Sequence, residues 1–343
     1  MVELSHLSEL ELIERLRAVI ERDRRRGPDV LPLGIGDDTS ILAPPAGDNL
    51  LFTIDTMVEG THFRLDLEPA DDLGFKLIAV NASDIAAMGG RPTAALVSLA
   101  LPGGLSLQWF DSLAEGLRQG AERFDLDLLG GDTTRSPATT TLSVTMLGRV
   151  PKGEAIRRDR AGVGDVLLVT GDLGKGRAGR EALIGKVADH YPQEVASYLR
   201  PCARVEEGTC LARVGKATAM IDISDGLASE TYHLARMSGV AIELDGPAVP
   251  LPETVRRLAH EAKVPAMDYA LFGGEDYELL AAVPPERVGR VVQEFETRNL
   301  ARLSPIGRVT AGEVGVWLID DKGERKPMNR LGYGHFGEHR IET

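Results

Sequence analysis

Hydrophobic and polar positions follow helical and strand spacing in turn along the chain. Residues 8–24 place apolar side chains at helical spacing behind a capping box of Ser8 and Glu11. The run "NLLFTID" predicts a strand that ends at Asp55, and residues 71–88 predict a helix stopped by Gly-Gly and Pro. Because such strands and helices alternate to the end of the chain, the pattern predicts an α/β or mixed α+β fold.

The same pattern predicts two domains. "TAALVSLALP" reads as a strand, "LSLQWFDSLAEGLRQGAERF" as a helix, and "LDLLGG" as a strand that stops at Asp132. Around "PKGEAIRRDRAGVGD" the periodic segments give way to polar, glycine-containing sequence, and a second α/β pattern starts at "DVLLVTGDLG". A length of 343 residues suits two domains, which we predict at 1–150 and 151–343.

Composition narrows the class of protein. Hydrophobic residues make up 43% and charged residues 27% of the chain, which is ordinary for a globular protein. No apolar run approaches the length of a membrane span, and the acidic, amphipathic start does not resemble a signal peptide. Two cysteines, Cys202 and Cys210, are too few for a disulfide framework. We therefore expect a cytoplasmic protein that does not bind a membrane.

The formal net charge of −13 excludes a further class of function. Nucleic-acid binding needs a basic surface, so we expect no nucleic-acid partner. An anionic substrate would also be repelled, unless cations stand between it and the protein.

Several aspartates recur beside glycine, serine or threonine after an apolar strand. Any one of them would ordinarily be a turn residue, but a whole set of this kind is harder to explain by turns. The set, with one aspartate inside a helix, is Asp37, Asp38, Asp55, Asp132, Asp222, Asp225 and Asp84. Oxygen ligands without a Cys or His cluster select Mg²⁺ or Ca²⁺ over zinc. Since Mg²⁺ in particular combines a few carboxylates with substrate phosphates, the pattern favours a polyphosphate ligand.

Common nucleotide-binding motifs do not explain such a ligand. The P-loop pattern is absent, and "GKGRAG" at 174–179 matches G-x-G-x-x-G. Seven residues of loop character, "GDLGKGR", follow the strand "DVLLVT", which is more than a tight dinucleotide-binding turn allows. We interpret this segment as a loop that leads into a helix.

The motifs taken together resemble the thiamine-monophosphate kinase family, within the aminoimidazole-ribotide-synthetase-like ATP-binding superfamily. They are "LGIGDDTSIL", "TIDTMVEGTHF", "KLIAVNASDIAAMGGRP", "LLGGDTTRSP", "AMIDISDGLASE", "FGGEDYELL" and "GYGHF", and they span residues 33–336. The resemblance implies transfer of the γ-phosphoryl group of ATP to thiamine monophosphate, giving thiamine diphosphate. It also implies several Mg²⁺ ions, a two-domain fold, and a homodimer in which the N-terminal sheets pair into a barrel.

The resemblance assigns roles to individual residues. Ile54 has no side-chain oxygen, so it could bind metal only through its carbonyl. The implied metal ligands are Asp38, Thr53, Ile54, Asp55, Asp84, Asp132, Asp222 and Asp225. The implied ATP contacts are Gly131, Asp132, Arg158 and Ser224, with Arg157 as an open alternative to Arg158. The implied substrate contacts are His62, Glu275 and Tyr333, and no residue acts as a covalent nucleophile or general base.

Two other kinds of function remain open at this point. One is a sister enzyme, such as selenophosphate synthetase, aminoimidazole ribotide synthetase or the hydrogenase-maturation dehydratase. The first cysteine is Cys202 and the chain ends "HRIET", so the reactive cysteines of the selenophosphate and maturation enzymes have no counterpart. The other is a non-catalytic regulator that binds Mg-nucleotide. The substrate motifs "GTHF", "GGED" and "GYGHF" favour the kinase over the regulator.

Overall fold

A computed structural model describes residues 9–20, 22, 46–329 and 332. The chain divides into two compact units, here called unit 1 (Met1–Ile85 and Arg91–Gly153) and unit 2 (Ala86–Gly90 and Glu154–Thr343). The predicted roles of Ser8, Asp37, Asp38 and Tyr333 fall outside the described residues.

Unit 1 contains a four-stranded sheet in the order β1-β4-β2-β3. The pair β2/β3 is parallel, with a helix between the two strands, and the other neighbours are antiparallel. The elements are α1 (Glu9–Ile20), β1 (Asp48–Val58), α2 (Ala70–Ala87), β2 (Arg91–Pro102), α3 (Leu107–Arg123), β3 (Asp127–Ser136) and β4 (Thr141–Pro151).

Helices α2 and α3 cross closely because glycines stand where they meet. A Cβ built on Gly116 would lie 1.9 Å from the carbonyl oxygen of Asp71, and one on Gly74 would lie 2.3 Å from that of Leu113. Helix α3 begins behind Ser106, whose hydroxyl accepts the Trp109 amide at 3.1 Å. Alternate residues of β4 are fully buried, so one face of the sheet belongs to the core.

The other face of this sheet is apolar at the edge strand β1. Leu50, Phe52 and Ile54 alternate along β1 and expose 38%, 66% and 65% of their surface, and Leu96 of β2 exposes 41%. In the register, Ile54 and Leu96 flank Thr145 from opposite sides. Among the described strands, β1 and β3 stand at the two edges of this sheet.

Unit 2 contains a seven-stranded sheet in the order β11-β10-β7-β9-β5-β8-β6. Only β7 and β10 are parallel neighbours among its described strands. The strands are β5 (Val166–Thr170), β6 (Ala219–Asp222), β7 (Ala241–Asp245), β8 (Leu279–Val283), β9 (Leu303–Thr310), β10 (Gly315–Ile319) and β11 (Arg325–Pro327). The α-helices are α4 (Lys175–Ile184), α5 (Pro192–Leu199), α6 (Val205–Cys210), α7 (Leu227–Ser238), α8 (Glu253–Ala262), α9 (Met267–Phe272) and α10 (Pro285–Thr297).

Both faces of this larger sheet are covered. On β5, Leu167 and Val169 pack in one cluster with residues of α7 and α9, whereas Leu168 packs in another with residues of α10. Burial on both sides explains why β8 reads as an uninterrupted apolar run. Among the described residues, none of the helices combines the length and apolar character needed to cross a membrane.

Two predicted strand ends are wrong. The strand through Asp55 continues to Val58, because β4 offers partners as far as the pair Val58 and Thr141. The strand through Asp132 continues to Ser136 for the same reason, since β2 pairs with it throughout. Both aspartates therefore lie within strands, where a polar side chain is tolerated on a face that is not fully buried.

Candidate active site

The first group of predicted ligands in unit 1 is brought together by β1 and α2. Thr53 and Asp55 are two apart on β1 and so share a face, which is turned to α2. The Thr53 hydroxyl donates to Oδ2 of Asp84, and the backbone N–H of Asp55 donates to Oδ1 of Asn81 at 3.2 Å. Asn81 is fully buried, and its Nδ2 is fixed by the Leu77 carbonyl at 2.9 Å. We call Thr53, Asp55 and Asp84 the unit 1 cluster.

Two carboxylates in this cluster oppose each other. Burial and the nearby charge of Asp84 raise the pKa of Asp55 to about 6. The shift means that the folded protein resists ionising both groups at once. A bound cation would remove this penalty, and the Thr53 hydroxyl adds one more hard oxygen beside it.

Asp132 is not brought to the unit 1 cluster. It is exposed on β3 and paired with Ser98, which is also exposed and lies between the buried residues Val97 and Leu99. The register thus places Asp132 on the face opposite to that of Asp55, which is paired with buried Val144.

Two further predicted residues of unit 1 depend on their backbone. A Cβ at Gly131 would lie 1.7 Å from the Val97 carbonyl oxygen, so no side chain fits there. Ile54 points its side chain to the exposed apolar face, which leaves its carbonyl for any ligand role.

His62 lies in the turn that follows β1. The Nδ1 atom of the His62 ring accepts a hydrogen bond from the backbone N–H of Val58 at 3.0 Å. The backbone N–H of His62 donates to the Val58 carbonyl at 2.9 Å. Because Nδ1 is an acceptor here, the neutral ring carries its proton on Nε2. The imidazole is therefore held in one orientation rather than free on a loop.

In unit 2, β6 leads its predicted residues into a loop before α7. Asp222 is buried at the end of the strand, and Ser224 and Asp225 follow it. Oε1 of Glu230 on α7 accepts the backbone N–H of Asp225 at 3.2 Å. Burial and the charges of Asp222 and Asp225 raise the pKa of Glu230 to about 8, so a third acidic group lies close to the two predicted ligands.

The segment 273–277 packs against this loop. The backbone N–H of Glu275 donates to the Ser224 carbonyl at 2.7 Å, and that of Tyr277 donates to the Ile223 carbonyl at 2.9 Å. Glu275 therefore lies beside Ser224 and Asp225, and its substrate role stays a prediction. The described residue next to Tyr333, Gly332, also lies here: a Cβ on it would be 1.7 Å from the Asp225 carbonyl oxygen.

The "GKGRAG" segment enters a helix, as interpreted from the sequence, but its loop is shorter than expected. Helix α4 begins at Lys175, so four residues, 171–174, follow β5 instead of seven. The position that a phosphate would take at this helix start is held by Asp276, which accepts the N–H groups of Gly174 at 2.8 Å and Gly176 at 3.0 Å. The protein's own carboxylate thus replaces the anion of a dinucleotide motif.

The two arginines that the sequence left open differ in their surroundings. Arg157 forms an ion pair with Asp159 two residues on. Arg158 instead acts on the buried carboxylate of Glu230, whose pKa its positive charge lowers slightly against the larger effects of burial. Arg158 is thus the arginine whose field reaches the Asp222–Asp225 loop.

The donor sets suit Mg²⁺ bound together with phosphate. Within the described residues, no group of three or more His, Cys, Asp or Glu side chains is arranged to hold a metal ion by itself. Mg²⁺ is usually bound by one or two carboxylates and by substrate phosphates, not by an all-protein cage. Asp55 with Asp84 in unit 1, and Asp222 with Asp225 in unit 2, fit that requirement.

Sequence reasoning missed three supporting residues: Asn81, Glu230 and Asp276. Each of them binds backbone N–H groups around a predicted ligand or loop. A signal existed for Asn81, which precedes Asp84 by one helical turn, and for Asp276, which is next to Glu275. Glu230 could have been found only as an acidic residue at the start of α7.

Family models match both units. The model of the AIR synthase related protein, N-terminal domain, matches residues 36–150, and that of the C-terminal domain matches residues 162–319. Together they cover well over half of the chain.

Curated relatives are similar over most of their length. The thiamine-monophosphate kinase of Escherichia coli (strain K12) is 37% identical over 309 residues, which are 89% of this chain and 92% of that protein. The thiamine-monophosphate kinase of Bacillus subtilis (strain 168) is 34% identical over 309 residues, 89% of this chain and 93% of that protein.

Solved structures of thiamine-monophosphate kinases are also similar to this chain. The thiamine-monophosphate kinase from Stenotrophomonas maltophilia K279a is 36% identical, with a TM-score of 0.81 over 93% of this chain and 98% of that chain. A structure described as AaThiL complexed with AMPPCP and TMP is 32% identical, with a TM-score of 0.76, and the match covers 98% of this chain and 99% of that chain. The hydrogenase maturation protein HypE of E. coli shares the fold. It is 20% identical, with a TM-score of 0.76, and the match covers 94% of this chain and 97% of that chain. The chain belongs to the thiamine-monophosphate kinase family.

Proposed function

We propose that this chain transfers the γ-phosphoryl group of ATP directly to thiamine monophosphate, giving thiamine diphosphate and ADP. The observation that carries the proposal is its similarity, over 98% of the chain, to AaThiL complexed with AMPPCP and TMP. These two ligands are an ATP analogue and the acceptor. The proposal includes a cytoplasmic location, which the free Cys202 and Cys210 fit.

The acceptor explains why no general base is needed. A phosphate monoester has a second pKa near ~6, so its attacking oxygen is already largely deprotonated at neutral pH. What remains is to align that oxygen with the γ-phosphorus and to offset negative charge. When bound, Mg²⁺ ions supply charge neutralisation for the phosphates and for the aspartates that hold them.

The residues of unit 1 would hold metal. Asp55 and Asp84 provide carboxylate oxygens on one face of the sheet, with the Thr53 hydroxyl between strand and helix. Asp38 and the Ile54 carbonyl complete the proposed set, and Asp132, on the opposite face of the sheet, is proposed to bind metal together with ATP and apart from the unit 1 cluster. Gly131, where a Cβ would meet the Val97 carbonyl oxygen, would contact ATP through its backbone.

The residues of unit 2 would hold phosphate and substrate. Asp222 and Asp225 are the proposed metal ligands, and Ser224 and Arg158 the proposed ATP contacts. Glu275, which is hydrogen-bonded to the Ser224 carbonyl, would bind thiamine monophosphate together with His62 and Tyr333. An aromatic ring such as that of Tyr333 suits the cationic thiazolium.

A direct assay tests this function. Purified protein is incubated with ATP, Mg²⁺ and thiamine monophosphate, and thiamine diphosphate and ADP are quantified together. We expect the two products in a one-to-one ratio, and loss of both when EDTA is added. ADP and free phosphate without thiamine diphosphate would instead indicate a different ATP-using enzyme, and no turnover at all would favour a regulator.

We further propose that the N-terminal domain, residues 1–150, binds ATP with Mg²⁺ and pairs with a second copy, while residues 151–343 form the C-terminal α/β domain. The apolar row of Leu50, Phe52, Ile54 and Leu96 supports this pairing. Three of the four lie on β1 itself, which is 11 residues long and an edge strand among the described strands, and the N–H and C=O groups of an edge strand can extend a sheet into another chain. Two open four-stranded sheets joined in this way would form the barrel of the homodimer.

The dimer is tested by a charge on that row. Phe52→Glu should convert the protein to a monomer in sedimentation equilibrium, because a buried unpaired carboxylate opposes association. Val163→Glu is the matched control, since Val163 is equally exposed, at 63%, but belongs to unit 2. A Phe52→Glu protein that remains dimeric would contradict this interface.

A further inference from the structure

The segment 273–277 has an unusual backbone. Gly274, Glu275 and Tyr277 have φ angles of 72°, 59° and 51°, all in the left-handed region. Residues with a Cβ are strained there and keep the conformation only where the surroundings enforce it. Two of the three carry a Cβ, and one of these, Glu275, is a proposed substrate contact.

One side of the segment is fixed by the loop after β6. The amides of Glu275 and Tyr277 donate to the carbonyls of Ser224 and Ile223 at 2.7 and 2.9 Å. A Cβ on Gly274 would lie 2.6 Å from the Ser224 carbonyl oxygen, so the two chains are in close backbone contact. These contacts set where the segment lies but act only on one side of it.

The other side is fixed by Asp276. Its Oδ2 accepts the Gly174 amide at 2.8 Å and its Oδ1 accepts the Gly176 amide at 3.0 Å, at the start of the ten-residue helix α4. The helix also presses on the segment itself, since a Cβ on Gly176 would lie 2.4 Å from the Glu275 carbonyl oxygen. Both oxygens of one carboxylate are thus used to join the segment to a rigid element.

We propose that Asp276 is a positioning residue for the kinase reaction: by binding the first amides of α4, it holds Glu275 in the left-handed conformation that meets thiamine monophosphate. The inference rests on the proposed function, because the substrate role of Glu275 comes from it. Asp276 need not touch any ligand to act in this way.

The surroundings make the ionisation of Asp276 relevant near neutral pH. Burial and the charge of Glu278 raise its pKa to about 7, against the two amides and Lys175, which lower it. Glu278 is itself paired with Arg204, and Lys175 with Asp172. All five line a cavity of about 200 Å³, which Arg200 also lines. A protonated carboxyl is a weaker acceptor, so the hold on α4 weakens as the pH falls.

The test replaces one carboxylate oxygen of Asp276 with an NH₂ group, which donates hydrogen bonds and does not accept them. In Asp276→Asn the amide NH₂ would face a backbone N–H, so one of the two hydrogen bonds is lost. Asp320→Asn is the matched control, because Asp320 also accepts two backbone amides, those of Lys322 and Glu324, at 3.0 and 2.9 Å, in an exposed turn. For both variants we measure kcat and KM for thiamine monophosphate, and hydrogen–deuterium exchange of the segment 273–277.

We expect Asp276→Asn to raise KM for thiamine monophosphate about 10- to 100-fold with kcat changed far less, the pattern of lost substrate binding. Amide exchange at Glu275 and Tyr277 should become faster, and KM for the wild type should rise from pH 8 to pH 6. The control should change neither quantity. If Asp276→Asn does not fold, exchange in the wild type at the two pH values, corrected for the intrinsic rate, replaces it.

The outcomes separate this inference from the proposed function. Unchanged exchange in the segment overturns the anchor, and faster exchange with unchanged KM overturns its role in positioning. In the replacement measurement, equal corrected exchange at the two pH values overturns the anchor. A wild type that makes no thiamine diphosphate overturns the proposed function instead, while the exchange data still decide whether Asp276 holds the segment.

Discussion

The two units hold their acidic residues in different ways. In unit 1, Asp55 and Asp84 project from a strand and a helix and their charges oppose each other. In unit 2, Glu230 and Asp276 accept backbone amides and so fix the shape of loops. The comparison shows two ways of holding acidic side chains: the carboxylates of Asp55 and Asp84, proposed to bind metal, repel each other, whereas Glu230 and Asp276, whose pKa values burial and nearby charges also raise, are held by backbone amides.

The largest expected effect comes from removing one member of the unit 1 cluster. Asp84→Asn should reduce turnover about a thousandfold. The reason is that a neutral amide oxygen binds Mg²⁺ far more weakly than a carboxylate does, and Mg²⁺ is the group that would neutralise the phosphates. The measurement is the rate of thiamine diphosphate formation at saturating ATP and Mg²⁺.

Asp72→Asn is the matched control on the same helix. Asp72 lies in the first turn of α2, at the opposite end of the helix from Asp84, so turnover should stay within about twofold of the wild type. Near-normal turnover in Asp84→Asn would refute the proposed metal-binding role of Asp84.

The next largest effect is on stability, and its sign is opposite to that on activity. Without metal or nucleotide, Asp55→Asn should increase the free energy of unfolding at pH 8 by about 2 kcal/mol, because it removes the cost of burying a charged carboxylate beside Asp84, which raises the pKa of Asp55 to about 6. Chemical denaturation in EDTA measures this. An unchanged or lower stability at pH 8 would mean that Asp55 is not under repulsion.

The pH dependence of the free energy of unfolding tests the same destabilisation by buried carboxylates in a second way. The pKa of Asp55 is about 6 and that of Glu230 about 8, both above their ordinary values of 3.8 and 4.5. The folded state therefore binds more protons than the unfolded state between about pH 4 and 8, and stability falls as the pH rises through that window. Asp55→Asn should flatten the part below about pH 7, whereas Glu230→Gln should flatten the upper part.

The smallest effect distinguishes two neighbouring arginines. Arg158→Ala should raise KM for ATP about tenfold, as expected for a charged contact to phosphate, and Arg157→Ala should leave it within about twofold. The reason is that Arg157 is paired with Asp159, while Arg158 acts on Glu230. Equal effects of the two substitutions would contradict this assignment.

The sequence predicted the existence of strands and helices better than it predicted where strands end and which face a residue takes. The helix carrying Asp84 and the strand carrying Asp55 were both predicted, yet both aspartates of β1 and β3 were placed at strand ends. Strand ends depend on how far a neighbour pairs, and the partner β4 is distant in sequence from β1. Whether Asp132 shares a face with Asp55 depends on the registers of three strand pairs, β1/β4, β4/β2 and β2/β3, which a single sequence does not reveal.

The glycines at the start of α4 also have contacts with residues distant in sequence, which the sequence alone did not reveal. Spacing alone made "GKGRAG" a candidate phosphate loop, and only the length of the loop argued against it. In the fold these glycines serve close packing: Cβ atoms on Gly174, Gly176 and Gly179 would lie 2.9, 2.4 and 2.1 Å from neighbouring atoms. The occupant of the helix start, Asp276, is 100 residues away and could not be paired with it in advance.

The exposed apolar face of β1 has a consequence for the growing polypeptide. Most of unit 1 leaves the ribosome before unit 2, so these apolar side chains emerge before the second copy of the proposed homodimer could cover them. Nascent chains that present such strands to one another aggregate readily. We therefore expect the yield of native protein to depend on chaperones and on the rate of synthesis more steeply than the size of its core would suggest.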